Sequence, residues 1–424
     1  MRTTRLAAVV AALAIAVSAC GGGDGGQTSA ASDKPTGTAT LWVRDSAKGF
    51  ISLLTDQYNK THEGKVTVTI VPSGSFVQKF GTAAASGAGP DITSIDLVYA
   101  PYFASKGVFE DLTPVLNSLT WKDGLSQAHR KLAVYDGKTY ALPFTAEASV
   151  TFYNKDLFKK AGLDPDKPPA NYAEMLTAAR AIRKLGSDYY GFTMAGQCGG
   201  CNIFEFAPHV WASGGKILSD DGKSALFDST EVTDALSFYR QMWTEGLMPP
   251  SAKTDGGSVQ PQSFQSGKVG MVNLGAFFVQ TLVADKKFDF GATPIVGKEG
   301  GTASFAGGDQ IAVTKSAKNK AVAYDFIKWA TSEEAQTILA KNSIVPIRTD
   351  LIDKIYAPLD PRYKVLGEAM STGQTPYSVV ENAIINDNNG PWAKMINQAV
   401  FGAGDIKAAQ AAAKQAAQQI IDQG

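Results

Sequence analysis

The sequence predicts an α/β fold, and three observations carry that reading. Residues 38–96 alternate strand, helix, strand, helix, strand, an order that builds a parallel sheet with right-handed crossovers. The middle of the chain adds amphipathic helices with recognisable caps. A length of 424 residues leaves room for two or three domains, each with a sizeable core.

Thr38–Arg44, TATLWVR, reads as the first strand. Phe50, Leu53, Leu54 and Tyr58 then recur at helical spacing. Val66, Val68 and Ile70 alternate with Thr67 and Thr69, the pattern of a second strand. A helix is expected over Ser75 to Ala85, then a short buried strand ending at Asp96. Ligands of open α/β sheets bind beyond the carboxyl ends of the strands. Arg44, Asp45 and Lys48 past the first strand, and Asp96 and Tyr99 past the third, are therefore binding candidates. Arg44 and Lys48 equally suit a solvated surface, and Asp96 a cap.

Farther on, Asn171 and Glu174 read as a capping box, with Met175, Leu176, Ala179, Ile182 and Leu185 on one face and Gly186 as the stop. Thr230–Glu245 reads as a second such helix, ended by Gly246. Gly267–Phe277 is a strand running into a loop, and Gly307–Lys315 is another strand. Residues 318–341 suggest a helix pair, with Thr331 and Glu334 capping the second member. Residues 393–422 form an Ala- and Gln-rich helical tail. Trp42, Trp211, Trp243 and Trp329 fit core positions, and Trp121 falls in a connection.

Formal net charge is zero, which weakens any reading based on long-range attraction to nucleic acid or to an anionic membrane. Arg2 and Arg5 precede an apolar run, Leu6–Val17, and then small residues, Ser18 and Ala19. That order marks residues 1–19 as an export signal, and the run is shorter than the roughly 20 residues of a bilayer span. Cys20 follows at once, one of only 3 cysteines. Val17-Ser18-Ala19-Cys20-Gly21 resembles the bacterial lipobox, with Val17 in place of the usual Leu. The resemblance implies acylation of Cys20 and anchoring to the outer face of the cell membrane; a soluble secreted protein cut at the same place is the alternative. Residues 20–37, rich in Gly, Ser, Asp, Thr and Ala, suit a flexible tether reaching roughly 20–25 Å.

Four segments carry a wider resemblance: PDITSIDLVYAPYFASKGVFEDLTP, DGKTYALPFTAEASVTFYNKDLFKKAGLDP, FQSGKVGMVNLGAF and GGDQIAVTKSAKNKAVAYDFIKWATSEEAQTIL. In this order and spacing the chain resembles the extracellular solute-binding proteins of carbohydrate ABC transporters, in the maltose-binding lineage. The resemblance implies a type II periplasmic-binding-protein fold. Its two lobes, each a mixed, mostly parallel sheet flanked by helices, would be residues 38–146 plus 302–348 and residues 147–301 plus 349–424. They would be joined by a hinge, with a small carbohydrate in the cleft between them. It also implies a monomer that works with separate permease and ATPase chains, with no cofactor, no metal and no nucleic-acid partner.

Sugar hydroxyls are engaged by carboxylates and amides, and the apolar C–H faces of a pyranose stack on aromatic rings. By resemblance, Glu147 stands where sugar binders of this lineage carry a ligand-binding glutamate. Phe277 holds the place of a family tryptophan, with Ala276 in place of proline before it. Trp392 matches another stacking position. Gly307 and Gly308 offer backbone N–H groups to a hydroxyl, with Asp309 beside them.

The chain departs from the family pattern at Gly196–Phe206, GQCGGCNIFEF. A zinc site takes four ligands, and Cys198 and Cys201 have no second cysteine pair, nor do His62, His129 and His209 show ligand spacing. A thioredoxin-like site would place the motif at the opening of a helix after a strand; two glycines between the cysteines suit a tight loop instead. A disulfide closing so small a ring is worth about 2 kcal/mol by chain entropy. Its expected use is to stiffen a cleft loop so that Gln197, Asn202, Phe204 or Glu205 meets the ligand already ordered.

Two other functions remain to be weighed. Arg44 and Lys48 could hold an anionic ligand, such as a glycerophosphodiester or a uronic acid. A glycoside hydrolase would need two carboxylates about 5–9 Å apart across the scissile bond, and no catalytic pairing or nucleophile motif is visible.

Overall fold

The computed structural model describes residues 34–424; the export signal, Cys20 and the tether up to residue 33 lie outside the described residues. β1 (Thr38–Arg44) is followed by α1 (Ile51–Thr61), β2 (Lys65–Val71), α2 (Ser73–Ala85) and β3 (Ile92–Asp96). β1 pairs in parallel with both β2 and β3, as strands joined through helices must. A short 3-10 turn, Asp45–Gly49, stands between β1 and α1.

β4 (Leu142–Asn154) opens the next stretch. It leads through α3 (Tyr172–Arg183), β5 (Tyr190–Thr193), α4 (Gly199–Glu205), α5 (Thr230–Thr244), β6 (Val269–Gly275) and β7 (Phe290–Thr293). β8 (Ala306–Val313), α6 (Lys320–Ala330), α7 (Glu333–Lys341), α8 (Pro391–Phe401) and α9 (Ile406–Gln423) follow. The strands share one sheet in the order β2-β1-β3-β8-β4-β6-β5, with β7 pairing β4 off that path.

β4 belongs to both ends of this sheet. Its first part, Leu142 to Ala148, pairs with β8, and its second, Ser149 to Asn154, pairs with β6 and β7. Every residue of β4 is buried except Glu147, which keeps partial exposure beside that changeover. The pairs β1–β2, β1–β3 and β5–β6 are parallel, whereas β8 and β4 run antiparallel to their neighbours. The sheet is mixed as expected, but its antiparallel share exceeds a mostly parallel one. The cause is that β8 and β4, which carry the chain between the two ends, enter against the direction of the strands beside them.

One apolar core packs Leu54 of α1, Phe326 of α6 and Leu339 of α7 against Val43, Phe144 and Ile311 of the sheet. A second gathers Met175 and Ile182 of α3 with Phe206, Tyr239 and Trp392. Trp211 and Trp329 are buried as expected, and Trp42 and Trp243 are half-buried.

The caps refine the sequence reading. The Asn171 side chain accepts the Glu174 N–H at 2.9 Å, and the Glu174 carboxylate accepts the Ala170 N–H at 2.9 Å. The second helix of residues 318–341 is capped by Ser332, whose hydroxyl accepts the Ala335 N–H at 3.3 Å. Thr331, expected in that role, instead donates to the Lys328 carbonyl and accepts the Trp121 indole N–H at 3.1 Å. The tail is two helices rather than one. Gly402 ends α8, and the Asp405 carboxylate starts α9 by accepting the Lys407 N–H at 2.7 Å.

Candidate functional site

A cavity of about 890 Å³ opens where β1 and β3 end, lined from residues 44–99 on one side and from 198–277 and 386–388 on the other. Arg44, the last residue of β1, donates to Asp96 Oδ2 at 2.9 Å and to Asp309 Oδ1. The sheet dictates this meeting: Asp309 of β8 lies opposite Asp96 of β3, and β1 is the next strand over. Asp309 also accepts the Ser94 hydroxyl at 2.7 Å. One guanidinium thus serves two carboxylates. Burial works against its charge, but Asp309 and Asp96 outweigh burial and hold its pKa above the ordinary value. Burial, reinforced by Asp309 and opposed by Arg44, raises the pKa of Asp96.

Glu147 sits on β4 opposite Gly307. Its Oε2 accepts the Phe277 N–H at 3.4 Å. Burial pushes its pKa up to about 8, with the Phe277 N–H opposing and Asp309 adding to the rise. The carboxyl is therefore mostly protonated at neutral pH and can donate as well as accept. Phe277, 52% exposed, presents an open ring at the cavity. Gly275 lets that ring fold back, since a Cβ there would lie 2.4 Å from Phe277 Cε1. Glu205 also lines the cavity, and its own pKa is raised by burial.

A pH prediction follows for Glu147. Its folded pKa of about 8 lies above the unfolded 4.5, so the folded chain holds a proton that the unfolded chain releases between those values. Stability from this group falls as pH rises across that window. Urea unfolding of Glu147→Gln between about pH 5 and 8 is expected to show a slope shallower by about one proton than the parent's. Parallel slopes would contradict a raised pKa at Glu147.

Of the residues singled out in the sequence, Arg44, Asp96, Tyr99, Phe204, Phe277 and Gly308 line the cavity, as do both paired cysteines. Tyr99 donates to Asn382 Oδ1 at 2.9 Å. Gly308 holds φ +121°, and a Cβ there would meet the Thr145 carbonyl oxygen at 2.1 Å, so this close strand approach admits only glycine. Asp309 is buried behind Arg44. Gly307 packs toward Phe204 and Phe305.

Five expectations are corrected. Trp392 is 0% exposed and packs on Phe206 and Phe227, at ring separations of 5.6 and 5.1 Å, so it is core and not a stacking platform. It shares a helical face with the buried Met395, Ile396, Ala399 and Val400. Asn202 is fully buried and donates to the carbonyls of Ala195 and Cys198 at 3.2 and 2.8 Å. Asp45 turns to the start of α2, where it accepts the Ser73 N–H at 3.1 Å. Lys48 is exposed in the 3-10 turn, outside the cavity lining. Gln197 is exposed, and its backbone N–H donates to the Asp255 carbonyl at 2.8 Å.

Cys198 and Cys201 form a disulfide. The motif is not a loop: it follows β5, and Cys198 is the N-cap residue of α4. Ser73, Gln260, Asn386 and Asn388 also line the cavity, and none was singled out. Ser73 follows the second strand, and the rule about strand ends covers it. The other three reach the cavity from distant segments, which no local pattern reports.

The model of the bacterial extracellular solute-binding proteins matches residues 43–337. A protein of Brucella abortus named as a binding protein is 28% identical over 276 residues, 64% of this chain and 66% of that protein's length. The diacetylchitobiose binding protein DasA of Streptomyces coelicolor is 26% identical over 426 residues, covering 97% of each chain. The structure superposes on the cyclic alpha-maltosyl-1,6-maltose binding protein from Arthrobacter globiformis with a TM-score of 0.79, at 24% identity, covering 92% of this chain and 100% of that one. The fold is the two-lobed, type II periplasmic-binding-protein architecture. With a family match over more than half its length, the chain belongs to the bacterial extracellular solute-binding proteins.

Proposed function

We propose that this protein captures a small neutral carbohydrate and delivers it to an ABC permease with a separate ATPase. The observation that carries the reading is the cavity wall itself: an open Phe277 ring, its N–H held by the Glu147 carboxyl, in the same lining as the Arg44–Asp96 pair. An apolar ring and groups able to donate and accept are what a pyranose demands. The relative aligned over 97% of the chain, named for diacetylchitobiose, supports the same ligand class. The lobes on this reading are residues 38–146 plus 302–348 and 147–301 plus 349–424. Both line the cavity, so the ligand stabilises the closed state by touching each. Acylated Cys20 would hold the protein at the outer face of the membrane.

The geometry speaks against an anionic ligand. Lys48 stands outside the cavity lining, and Arg44 already serves two carboxylates. A thermal-unfolding screen with diacetylchitobiose, maltotriose and glycerophosphodiesters tests the choice. A true ligand at a hundred times its Kd adds about 2.7 kcal/mol of stability. Stabilisation by the phosphodiesters alone would reject the neutral carbohydrate.

Phe277→Ala is expected to weaken the bound carbohydrate about tenfold through lost stacking. Its unfolding free energy should stay within about 0.5 kcal/mol of the parent, because the ring is exposed. Calorimetric titration paired with urea unfolding reads both. Unchanged affinity would remove Phe277 from the site.

A further inference from the structure

We propose that Cys198–Cys201 is a thiol-exchange site in the cleft, and that its redox state sets the order of the wall around it. Both cysteines are half-buried and line the cavity, which opens a route from the cleft to the bridge. Accessible disulfides are more labile than enclosed ones, and a bridge between residues 3 apart gains little protection from loop entropy.

Three segments meet at this bridge. The first is α4, where Cys198 Sγ accepts the Cys201 N–H at 3.0 Å. The second is the turn at 255–260. There the Asp255 carboxylate gathers the N–H groups of Gly257, Val259 and Gln260 at 2.8, 3.0 and 2.6 Å. Gly257, at φ +108°, seats the sulfurs: a Cβ on it would lie 2.7 Å from Cys201 Sγ and 3.3 Å from Cys198 Sγ. The third is residues 385–388. Asn388 Oδ1 accepts the Gly199 N–H at 2.8 Å. A Cβ on Gly199 would stand 2.5 Å from the Ile385 carbonyl oxygen, and one on Gly200 3.0 Å from Asn386 Oδ1. Gly199 thus serves close backbone approach, and Gly200 leaves room for the Asn386 side chain.

On the Gly257 side the seat has no room to spare. Two free thiols need van der Waals separation in place of a bond of about 2.05 Å, so on this proposal reduction loosens the contact with Gly257 and the segments beside it. Those segments present Phe204, Glu205, Gln260, Asn386 and Asn388 to the cavity.

The reaction takes an external dithiol as reductant. Its thiolate attacks one cysteine sulfur and releases the other as a thiolate, giving a mixed disulfide. The reductant's second thiol then displaces the first cysteine. Two electrons and two protons pass to the protein, and the reductant leaves as its own disulfide. The effect on ligand affinity rests on the carbohydrate reading above; the exchange and the loosening do not. Coupling is reciprocal, so a ligand that prefers the oxidised wall makes the bridge harder to reduce by the same factor.

Amide hydrogen exchange on the full chain, oxidised and after dithiothreitol, tests the proposal without any ligand. Residues 199–205, 255–260 and 385–388 are expected to exchange about tenfold faster once reduced, with β1 and α9 unchanged. The Cys198→Ser/Cys201→Ser variant should match the reduced chain, and reoxidation should restore the parent rates. A bridge that resists millimolar dithiothreitol, or equal exchange in both states, overturns the proposal. With diacetylchitobiose as probe, Kd is expected to rise about tenfold on reduction; a Kd unchanged by reduction overturns the affinity switch. Failure of that sugar to bind the oxidised chain sinks the carbohydrate assignment alone, and the exchange measurement still decides the site.

Discussion

Arg44→Met is expected to destabilise the folded chain by about 3 kcal/mol, near the low end for breaking a buried ion pair because Asp96 keeps some solvent. The guanidinium lies between Asp96, at 2.9 Å, and Asp309. Methionine keeps much of the volume and removes the charge, leaving two carboxylates facing each other with Asp309 at 6% side-chain exposure. Uncompensated buried carboxylates protonate, so the cost should be greatest above neutral pH and shrink as pH falls. Removing one acid as well, in Arg44→Met/Asp309→Asn, should recover part of the loss, and a double-mutant cycle on urea unfolding measures how much. A loss below about 1 kcal/mol with no dependence on pH would show that solvent screens the cluster as it does a surface pair.

Trp392→Ala should cost about 3–5 kcal/mol, as removal of a large buried aromatic does. The indole fills the space between Phe206 and Phe227 in the second core. Its Nε1 has no hydrogen-bond partner among the described residues, so Trp392→Phe forfeits volume and no polar contact there, and should cost less than about 1.5 kcal/mol. Ligand affinity of the phenylalanine variant should equal the parent's. A clear fall in that affinity, with stability kept, would return Trp392 to the stacking role that the family resemblance implies.

The first sheet segment was legible because strand alternation and helical spacing are local. β1, β2 and β3 fall where the Val/Thr and Leu/Tyr patterns place them. The rule about strand ends found Arg44, Asp96 and Tyr99. It also admitted Asp45 and Lys48, because it cannot see that the chain turns at once into a 3-10 helix that carries them away. Family register found Phe277, which lines the cavity, and Glu147, which accepts the Phe277 N–H behind that lining, yet misplaced Trp392. There Met395, Ile396 and Ala399, at helical spacing from Trp392, place the indole on the buried face. Thr331 and Ser332 are both competent caps, and which of them serves depends on Trp121, which is distant in sequence. The cysteine motif misled for a related reason: its glycines read as loop formers, whereas Gly199 answers to backbone from Ile385 and Asn386 and Gly200 to the Asn386 side chain. Local chemistry reaches residues near in sequence, and it stays silent on Gln260, Asn386 and Asn388, which only tertiary packing delivers.

The most direct test is calorimetric titration of the oxidised chain with diacetylchitobiose, maltotriose, a uronic acid and a glycerophosphodiester, at low and at high salt. A cavity built for an uncharged polyol should bind one of the two neutral sugars with an affinity indifferent to salt. Binding confined to the charged compounds, weakening as salt rises, would contradict that.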